Sequence, residues 1–473
     1  MKKFIIIVLA GFIFGNAEAQ STLDRTRQPE AGPAPVIFFK DPVIYKFPNG
    51  MTLLVVEDHR LPRVSASFYI DAGPVMEGEK AGAYSLMGQM LNEGTAKMPK
   101  AQFDEAVDQL GANVNLNASG GNAAALTRYF PQALKLMSQA LQAPGFSSDA
   151  FEKLRSQVLT GKQNDSKNVK AVSNQVVNAL LYGMDNPMGE FSTEATLKRL
   201  TLDNVKAFYN KYITPSRSYL TIVGDIKPAI AKQLADKLFA SWKGSDLALP
   251  VIPQVKNPVK TEIDLVDVPN AVQSEVTVSN LVFLKLNDPD LFAAKLANAI
   301  LGGGADSYLF KGLREKRGFT YGAYSSIGSG RFQETFQANA AVRTAKTDSA
   351  VVEFLAQINK IRSQPVSEDD LKNIKARYNG SFALNMENPE VTASYARNIL
   401  INSLPKDYYR TYLQKINAVS ETEVQHAAEK YFGYDDLRVI VVGNAGQVRD
   451  NLKKLPFKLK EYDRYAKPMA GKP

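Results

Sequence analysis

The sequence predicts an α+β fold made of two similar halves, and three observations lead there. First, the chain repeats itself. Leu200-Thr201-Leu202-Asp203-Asn204-Val205, through Lys211-Tyr212 to Ile222-Val223-Gly224-Asp225, matches Val419-Ser420-Glu421-Thr422-Glu423-Val424, through Lys430-Tyr431 to Val441-Val442-Gly443-Asn444, without a gap. Second, strand patterns and helix patterns come in separate runs inside a half, which favours helices laid on one face of an antiparallel sheet over a doubly wound α/β sheet. Third, 473 residues exceed the roughly 250–300 that one hydrophobic core serves.

Two further matches fix the repeat. Phe146 through Arg155 lies on Val366 through Lys375, and Leu86 through Leu91 to Gly94 lies on Leu296 through Leu301 to Gly304. The drift in spacing between these matches is what unequal loops produce. The halves are expected at 41–245 and 260–460. Between them 246–259, punctuated by Pro250, Pro253 and Pro258, reads as a linker.

In the first half, Val43–Phe47 and Met51–Glu57 flank Asn49-Gly50, the signature of a hairpin, and Val64–Asp71 is a third strand. Helical spacing follows at 82–92, 100–109, 131–142, 148–163 and 204–213. Thr201 and Ser420 stand where a helix needs an N-cap. A duplicated unit of this kind forms a clamshell with a cleft between its halves, the usual place for a site.

Met1–Ala19 carries Lys2 and Lys3, the 11-residue apolar run Phe4–Phe14, and Ala17-Glu18-Ala19. That is the layout of a secretory signal peptide, and the run is short of the roughly 20 residues a spanning helix needs. Residues 20–40 read as an extended Pro-containing leader, and 461–473 as a basic tail whose simplest state is a frayed, solvated terminus. The net charge of +9 is spread along the chain, with no Lys/Arg cluster interleaved with aromatics, so it points to solubility and not to nucleic acid.

With no cysteine and only His59 and His426, disulfides, thiolate nucleophiles and Cys-based zinc sites are excluded. His59 reads as a loop residue. His426, with Glu423 and Glu429 on either side, reads as part of a solvated helix face. No G-x-S-x-G occurs, so a nucleophile-elbow hydrolase has no support. The triple glycine Gly302-Gly303-Gly304 lets backbone approach a ligand closely. It lacks the Lys-Ser/Thr of a nucleotide loop.

Two stretches carry a family resemblance. Asp71–Ala118, DAGPVMEGEKAGAYSLMGQMLNEGTAKMPKAQFDEAVDQLGANVNLNA, and Leu301–Ser326, LGGGADSYLFKGLREKRGFTYGAYSS, resemble the insulinase/pitrilysin zinc metallopeptidases, the inverzincins. In that family an H-x-x-E-H helix in the first half binds Zn²⁺ and supplies the activating glutamate, and a later glutamate completes the ligands. Laid on this sequence, the pattern puts Ser85 and Gln89 at the two histidines, Gly88 at the catalytic glutamate and Gly161 at the third ligand. The resemblance therefore implies no metal in this chain. Glu79 and Glu93 lie nearby but cannot rebuild a ligand set alone.

The second half keeps the family's other signature, L-R-x-K-x-x-G-x-Y, as Leu313-Arg314-Glu315-Lys316-Arg317-Gly318-Phe319-Thr320-Tyr321. The resemblance implies that Arg314 and Tyr321 bind the substrate carbonyl beside the scissile bond, with Gly302, Gly303 and Gly304 bordering the substrate. It further implies a zinc-less subunit of a secreted, periplasmic two-chain peptidase acting on peptides or unfolded segments. The partner, a paralogous H-x-x-E-H chain, would bring the Zn²⁺, and no transmembrane segment would remain after signal cleavage. The alternative from another class is a non-enzymatic peptide-binding or scaffold protein of the same fold.

Overall fold

The structure is a computed structural model that describes residues 41–469, all inside the compact unit Ile37–Pro473. The expected signal peptide, the leader 20–40 and the last four residues of the tail lie outside the described residues. The strands are β1 (Val43–Lys46), β2 (Thr52–Glu57), β3 (Arg63–Ile70), β4 (Gly94–Thr95), β5 (Met98–Pro99), β6 (Asn113–Asn117), β7 (Gly120–Leu126), β8 (Ser218–Gly224), β9 (Glu262–Asp267), β10 (Gln273–Val282), β11 (Tyr324–Ile327), β12 (Glu334–Arg343), β13 (Arg438–Gly443) and β14 (Lys458–Tyr462). Helices α1 (Ala83–Met90), α2 (Lys100–Gln109), α3 (Phe130–Gln142), α4 (Ser148–Asp165), α5 (Val169–Tyr182), α6 (Glu194–Arg199), α7 (Leu202–Tyr212) and α8 (Pro228–Phe239) belong to the first half. Helices α9 (Leu291–Gly302), α10 (Thr347–Ser363), α11 (Glu368–Met386), α12 (Pro389–Asn402), α13 (Tyr412–Ala418), α14 (Glu421–Tyr431) and α15 (Ala445–Leu452) belong to the second.

The duplication is visible in the sheets. One runs β1-β2-β8-β3-β7-β6, the other, read from its opposite edge, β14-β9-β13-β10-β12-β11. Most pairings are antiparallel, as expected, but β2 with β8, β9 with β13 and β14 with β9 are parallel. Those partners are joined through nearly the whole of their half, and a connection that long is free to deliver a strand in either direction. The same caps start equivalent helices: the Thr201 hydroxyl accepts from Asn204 N and the Ser420 hydroxyl from Glu423 N, at 3.3 Å each.

The helices of each half cover the outer face of its own sheet, where alternate strand residues form a core. In the first half Val64, Ala66, Phe68 and Ile70 point into it, with Phe68 stacked on Phe239 at 5.7 Å. In the second half Val276 and Val278 do so, with Phe336 on Phe432 at 4.3 Å.

The inner faces are closed by exchange. Helix α5 leaves the first half and lays Val172, Val176, Val177 and Leu180 on Val266, Ile440 and Val442 of the second sheet. Its counterpart α12 crosses the other way, with Ala393 against Val56 and Val223 of the first sheet.

A buried carboxylate ties the halves together. Asp71, at the end of β3, is 0% exposed and holds Arg217 of its own half and both terminal nitrogens of Arg331 from the other. The linker is fastened at the same place: Gln333 exchanges two hydrogen bonds with the backbone of Val255, at 2.9 and 2.8 Å.

The described part of the expected tail 461–473 is folded and not frayed: Glu461 and Tyr462 end a strand, Asp463 N donates to Lys467 O at 2.9 Å and Met469 N to Glu461 O at 2.8 Å. Lys458–Tyr462 adds to the sheet as β14, parallel to β9. Its Lys460 pairs with the buried Glu262 at 2.5 Å, and Arg438 bridges Glu262 and Asp264 at 2.8 and 2.7 Å. Burial pushes the Asp264 carboxyl above its ordinary range, against the pull of Arg438.

Arg331→Ala is expected to cost about 3 kcal/mol, the lower end for removing one partner of a buried ion pair, because Arg217 remains. Arg331→Lys recovers only part of this, since an ammonium cannot bridge both carboxylate oxygens as a guanidinium does. Urea denaturation of the three proteins checks it, and an unchanged midpoint in Arg331→Ala would remove the ion triad from its place in holding the halves.

Candidate functional site

Helix α1, which carries Ser85, Gly88 and Gln89, is held at its start by Glu77, whose carboxylate accepts from Gly82 N and Tyr84 N at 3.1 and 2.7 Å. Burial raises the Glu77 pKa, and those N–H bonds oppose the shift. One face of α1 is clamped to the β6–β7 hairpin. Tyr84 Oη donates to Ala118 O at 2.9 Å, and the Asn92 amide both donates to Leu116 O and accepts from Leu116 N, at 2.8 and 2.9 Å. Gly88 lies between them at the i+4 position of the same face, and a Cβ there would sit 2.4 Å from Ala118 N.

Of the positions where the sequence expectation puts metal ligands, Ser85 is exposed, Gln89 is half-buried, and Gln89 Nε2 reaches Ser85 Oγ at 3.5 Å. Gly161 is exposed on α4 with open space where its Cβ would be. These residues do not fit a zinc ion. A hydroxyl, a neutral amide and two glycines offer neither imidazole nor carboxylate, and backbone already occupies the place where an activating glutamate would begin. Among the described residues no group of three or more His, Cys, Asp or Glu side chains is arranged to hold a metal.

Arg314 lies within a wide helical turn in the second half, and Tyr321 follows that turn. Arg314 is on the π-helical segment Phe310–Lys316, a geometry that concentrates at functional sites. Its guanidinium lies 4.7 Å from the Phe310 ring centroid and has no carboxylate partner among the described residues. Tyr321 is 86% exposed. No hydrogen bond joins the two side chains.

Tyr321 borders a cavity of about 610 Å³ that Arg314 does not line. Its walls are polar: Lys170, Asn174 and Asn178 come from α5, Glu275 from β10 and Asn339 from β12. Burial raises the Glu275 carboxyl, and Lys170 pulls it down.

The three glycines do admit a close approach, but by the chain itself. A Cβ on Gly302 would lie 2.3 Å from Ser325 N, and on Gly304 2.7 Å from an Arg377 nitrogen. Gly302 ends α9, and Gly303 is its C-cap.

His426 is exposed on α14. His59 sits in the loop after β2, as read from the sequence, but between two acids, Asp225 at 2.5 Å and Glu57 at 2.7 Å. Hydrogen bonds to Asp225 and then Glu57 raise its pKa, and the bond from His59 lowers that of Asp225. The sequence expectations did not include the Asp71–Arg331 pair, which no local pattern announces, helix α5, or the β6–β7 hairpin. The alternation Asn113-Val114-Asn115-Leu116-Asn117 was a usable signal for β6.

Two outcomes follow for this region. In an open helix Gly→Ala stabilises by about 1 kcal/mol. At Gly88 the clash with Ala118 is expected to reverse the sign and cost about 1–3 kcal/mol, measurable by thermal or urea unfolding. For His59, a raised folded pKa means its stabilisation is complete below about pH 6.5 and fades as pH rises through the folded value. NMR titration should place that value above about 6.5, and His59→Gln should flatten this pH dependence. A titration at the ordinary histidine value would dissolve the pairing with Asp225 and Glu57.

Comparison with known proteins agrees with the fold and with the order of the halves. Residues 52–187 match the family model described as insulinase (peptidase family M16), and residues 199–378 match the peptidase M16 inactive domain. The chain is similar to a non-peptidase homolog, YmxG, of Helicobacter pylori, 21% identical over 94% of this chain and 99% of that one. It is also similar to the mitochondrial-processing peptidase subunit beta of Lentinula edodes, 20% identical over 85% and 90%. Among solved structures, a peptidase M16 inactive domain from Pseudomonas fluorescens superposes with a TM-score of 0.78, at 23% identity over 86% of this chain and 98% of that one. With both halves matched in order by models of one family, the chain belongs to peptidase family M16, the insulinase family.

Proposed function

We propose that this chain is the zinc-less subunit of a two-chain peptidase and acts on peptides or unfolded segments together with a zinc-bearing M16 partner. The observation that carries the reading is the contrast between the two motif sites. At the metal positions the ligands are gone and the hairpin backbone fills the space beside Gly88. At the other site Arg314 and Tyr321 stay exposed, and neither has an ion-pair or hydrogen-bonding partner for its side chain among the described residues. Apart from the Phe310 ring under Arg314, nothing in the packing calls for an exposed phenol and an unpaired guanidinium seven residues apart.

In this reading the partner supplies Zn²⁺ and the glutamate that activates water, and this chain holds no cofactor. Arg314 and Tyr321 act as donors to the carbonyl oxygen as negative charge develops on it, an arrangement worth about 3–4 kcal/mol in a transition state. Gly302, Gly303 and Gly304 border the substrate in this reading, with Ser325 and Arg377 packed against them. The substrate adds partly as a strand to a sheet edge. Met1–Ala19 directs the chain across the inner membrane, which places the pair in the periplasm. That a similar protein is a subunit beta supports assembly with another chain.

In the assembled pair, Arg314→Ala or Tyr321→Phe is expected to lower kcat/KM about tenfold or more while assembly is kept. Pull-down from the source cell with metal analysis of the complex identifies the partner. If both variants keep full kcat/KM, or if no H-x-x-E-H chain co-purifies, the peptide-binding scaffold becomes the better reading.

A further inference from the structure

The exchanged helices are equivalent, and the difference between them marks a second cavity. Asn168 caps α5 and Asn388 caps α12, so Val177 of one helix corresponds to Arg397 of the other. Val177 is 6% exposed within the apolar seal on the second sheet. Arg397 faces the polar row of β3. Its Nη1 reaches Ser67 Oγ at 3.4 Å, and its guanidinium lies 5.0 Å from the Tyr69 ring centroid. Nothing else in the described chain holds it. In the first turn of α12, Glu390 is engaged with Ser65 at 2.8 Å, and the neighbouring Arg331 belongs to Asp71.

Both residues border cavities, Val177 the one beside Tyr321 and Arg397 one of about 600 Å³, but only Arg397 brings a charge to its wall. That volume is within the range of about 300–1,000 Å³ usual for small ligands. The walls are aromatic on several sides, with Tyr69, Tyr84, Phe332 and Tyr409. One carboxylate, Glu334, also lines it without pairing with Arg397, and burial raises its pKa. A half-buried guanidinium with one long hydrogen bond carries a desolvation cost that an ion pair would offset. Arginine is also the side chain best shaped to grip a carboxylate through two parallel bonds.

We propose that Arg397 anchors a carboxylate-binding site in this cavity, taking a peptide whose carboxylate lies beside an apolar or aromatic side chain. The carboxylate is either a free C-terminus or an Asp or Glu side chain. The choice of a peptide as its bearer rests on the reading of this chain as part of a peptide-handling pair. The site itself needs neither the partner nor catalysis.

The test is calorimetric titration of the purified chain alone with three probes: the free acid Ac-Ala-Ala-Phe-OH, its amide Ac-Ala-Ala-Phe-NH2, and Ac-Ala-Glu-Phe-NH2. At least one carboxylate probe is expected to bind about tenfold or more tighter than the neutral amide. Arg397→Gln, which keeps a donor for Ser67, should abolish that preference, and Arg397→Lys should retain part of it. Tighter binding of the free acid alone identifies a C-terminus, and tighter binding of the glutamyl peptide alone an acidic side chain. Should Arg397→Gln fail to fold, protection of Arg397 from phenylglyoxal by the tighter probe, read by mass spectrometry, decides.

Equal binding of all three probes, no binding of any, or a preference that survives Arg397→Gln each overturns the site. Because the partner is absent from this test, its failure leaves the roles of Arg314 and Tyr321 to their own experiment.

Discussion

Asp71 is a carboxylate without access to water, and the guanidinium groups that pair with it come from both halves of the chain. Most of what lies between the halves is organised around that pairing. Arg331 reaches Asp71 from the loop before β12, and the same loop presents Gln333 to the linker and its own carbonyl oxygen to Tyr182 of α5, at 3.0 Å. The next residue, Phe332, together with Pro250, packs where a Cβ on Gly73 would stand. Ion pair, linker and exchanged helix therefore hold a single arrangement of the two sheets. Both cavities exist because that arrangement leaves the polar parts of the inner faces uncovered.

Much of this was legible in the sequence, and the reason is local. The repeat, the capping residues, the Asn49-Gly50 turn and the helices around Leu86 and Val205 depend on residues within a few positions of one another. Their patterns survive without knowledge of the fold. The Arg314 and Tyr321 motif was legible for the same reason, being one contiguous stretch. What escaped depends on residues far apart: Asp71 with Arg331, Gly88 with Ala118, and Ser67 with Arg397. The parallel pairing of β2 with β8 escaped as well, because strand direction is decided by the path between strands, which composition does not record. Helix α5 was missed although its apolar positions are regular. An apolar face signals burial but not the surface it is buried against, and here that surface belongs to the other half.

The degenerate metal motif is more than a set of missing ligands. If Gly88 had merely replaced a glutamate, a gap would stand beside it. Instead the β6–β7 hairpin closes on the helix, with Tyr84 and Asn92 fastening it on either side. Restoring the motif's side chains would therefore not restore the space they need. The opposite holds at Tyr321, where the surroundings leave the side chain exposed beside a polar cavity. The two halves have the same architecture, but in one the motif has been absorbed into packing, and in the other it still faces outward.

The exchange of α5 also bears on how the chain reaches its final state. A first half that has left the ribosome ahead of the second carries Val172, Val176, Val177 and Leu180 on a helix whose intended cover, Val266, Ile440 and Val442, has yet to be made. The second sheet in turn receives its outermost strand, Lys458–Tyr462, from nearly the last residues of the chain. Neither half can be completed before the other, so maturation is a single late event in place of two successive ones.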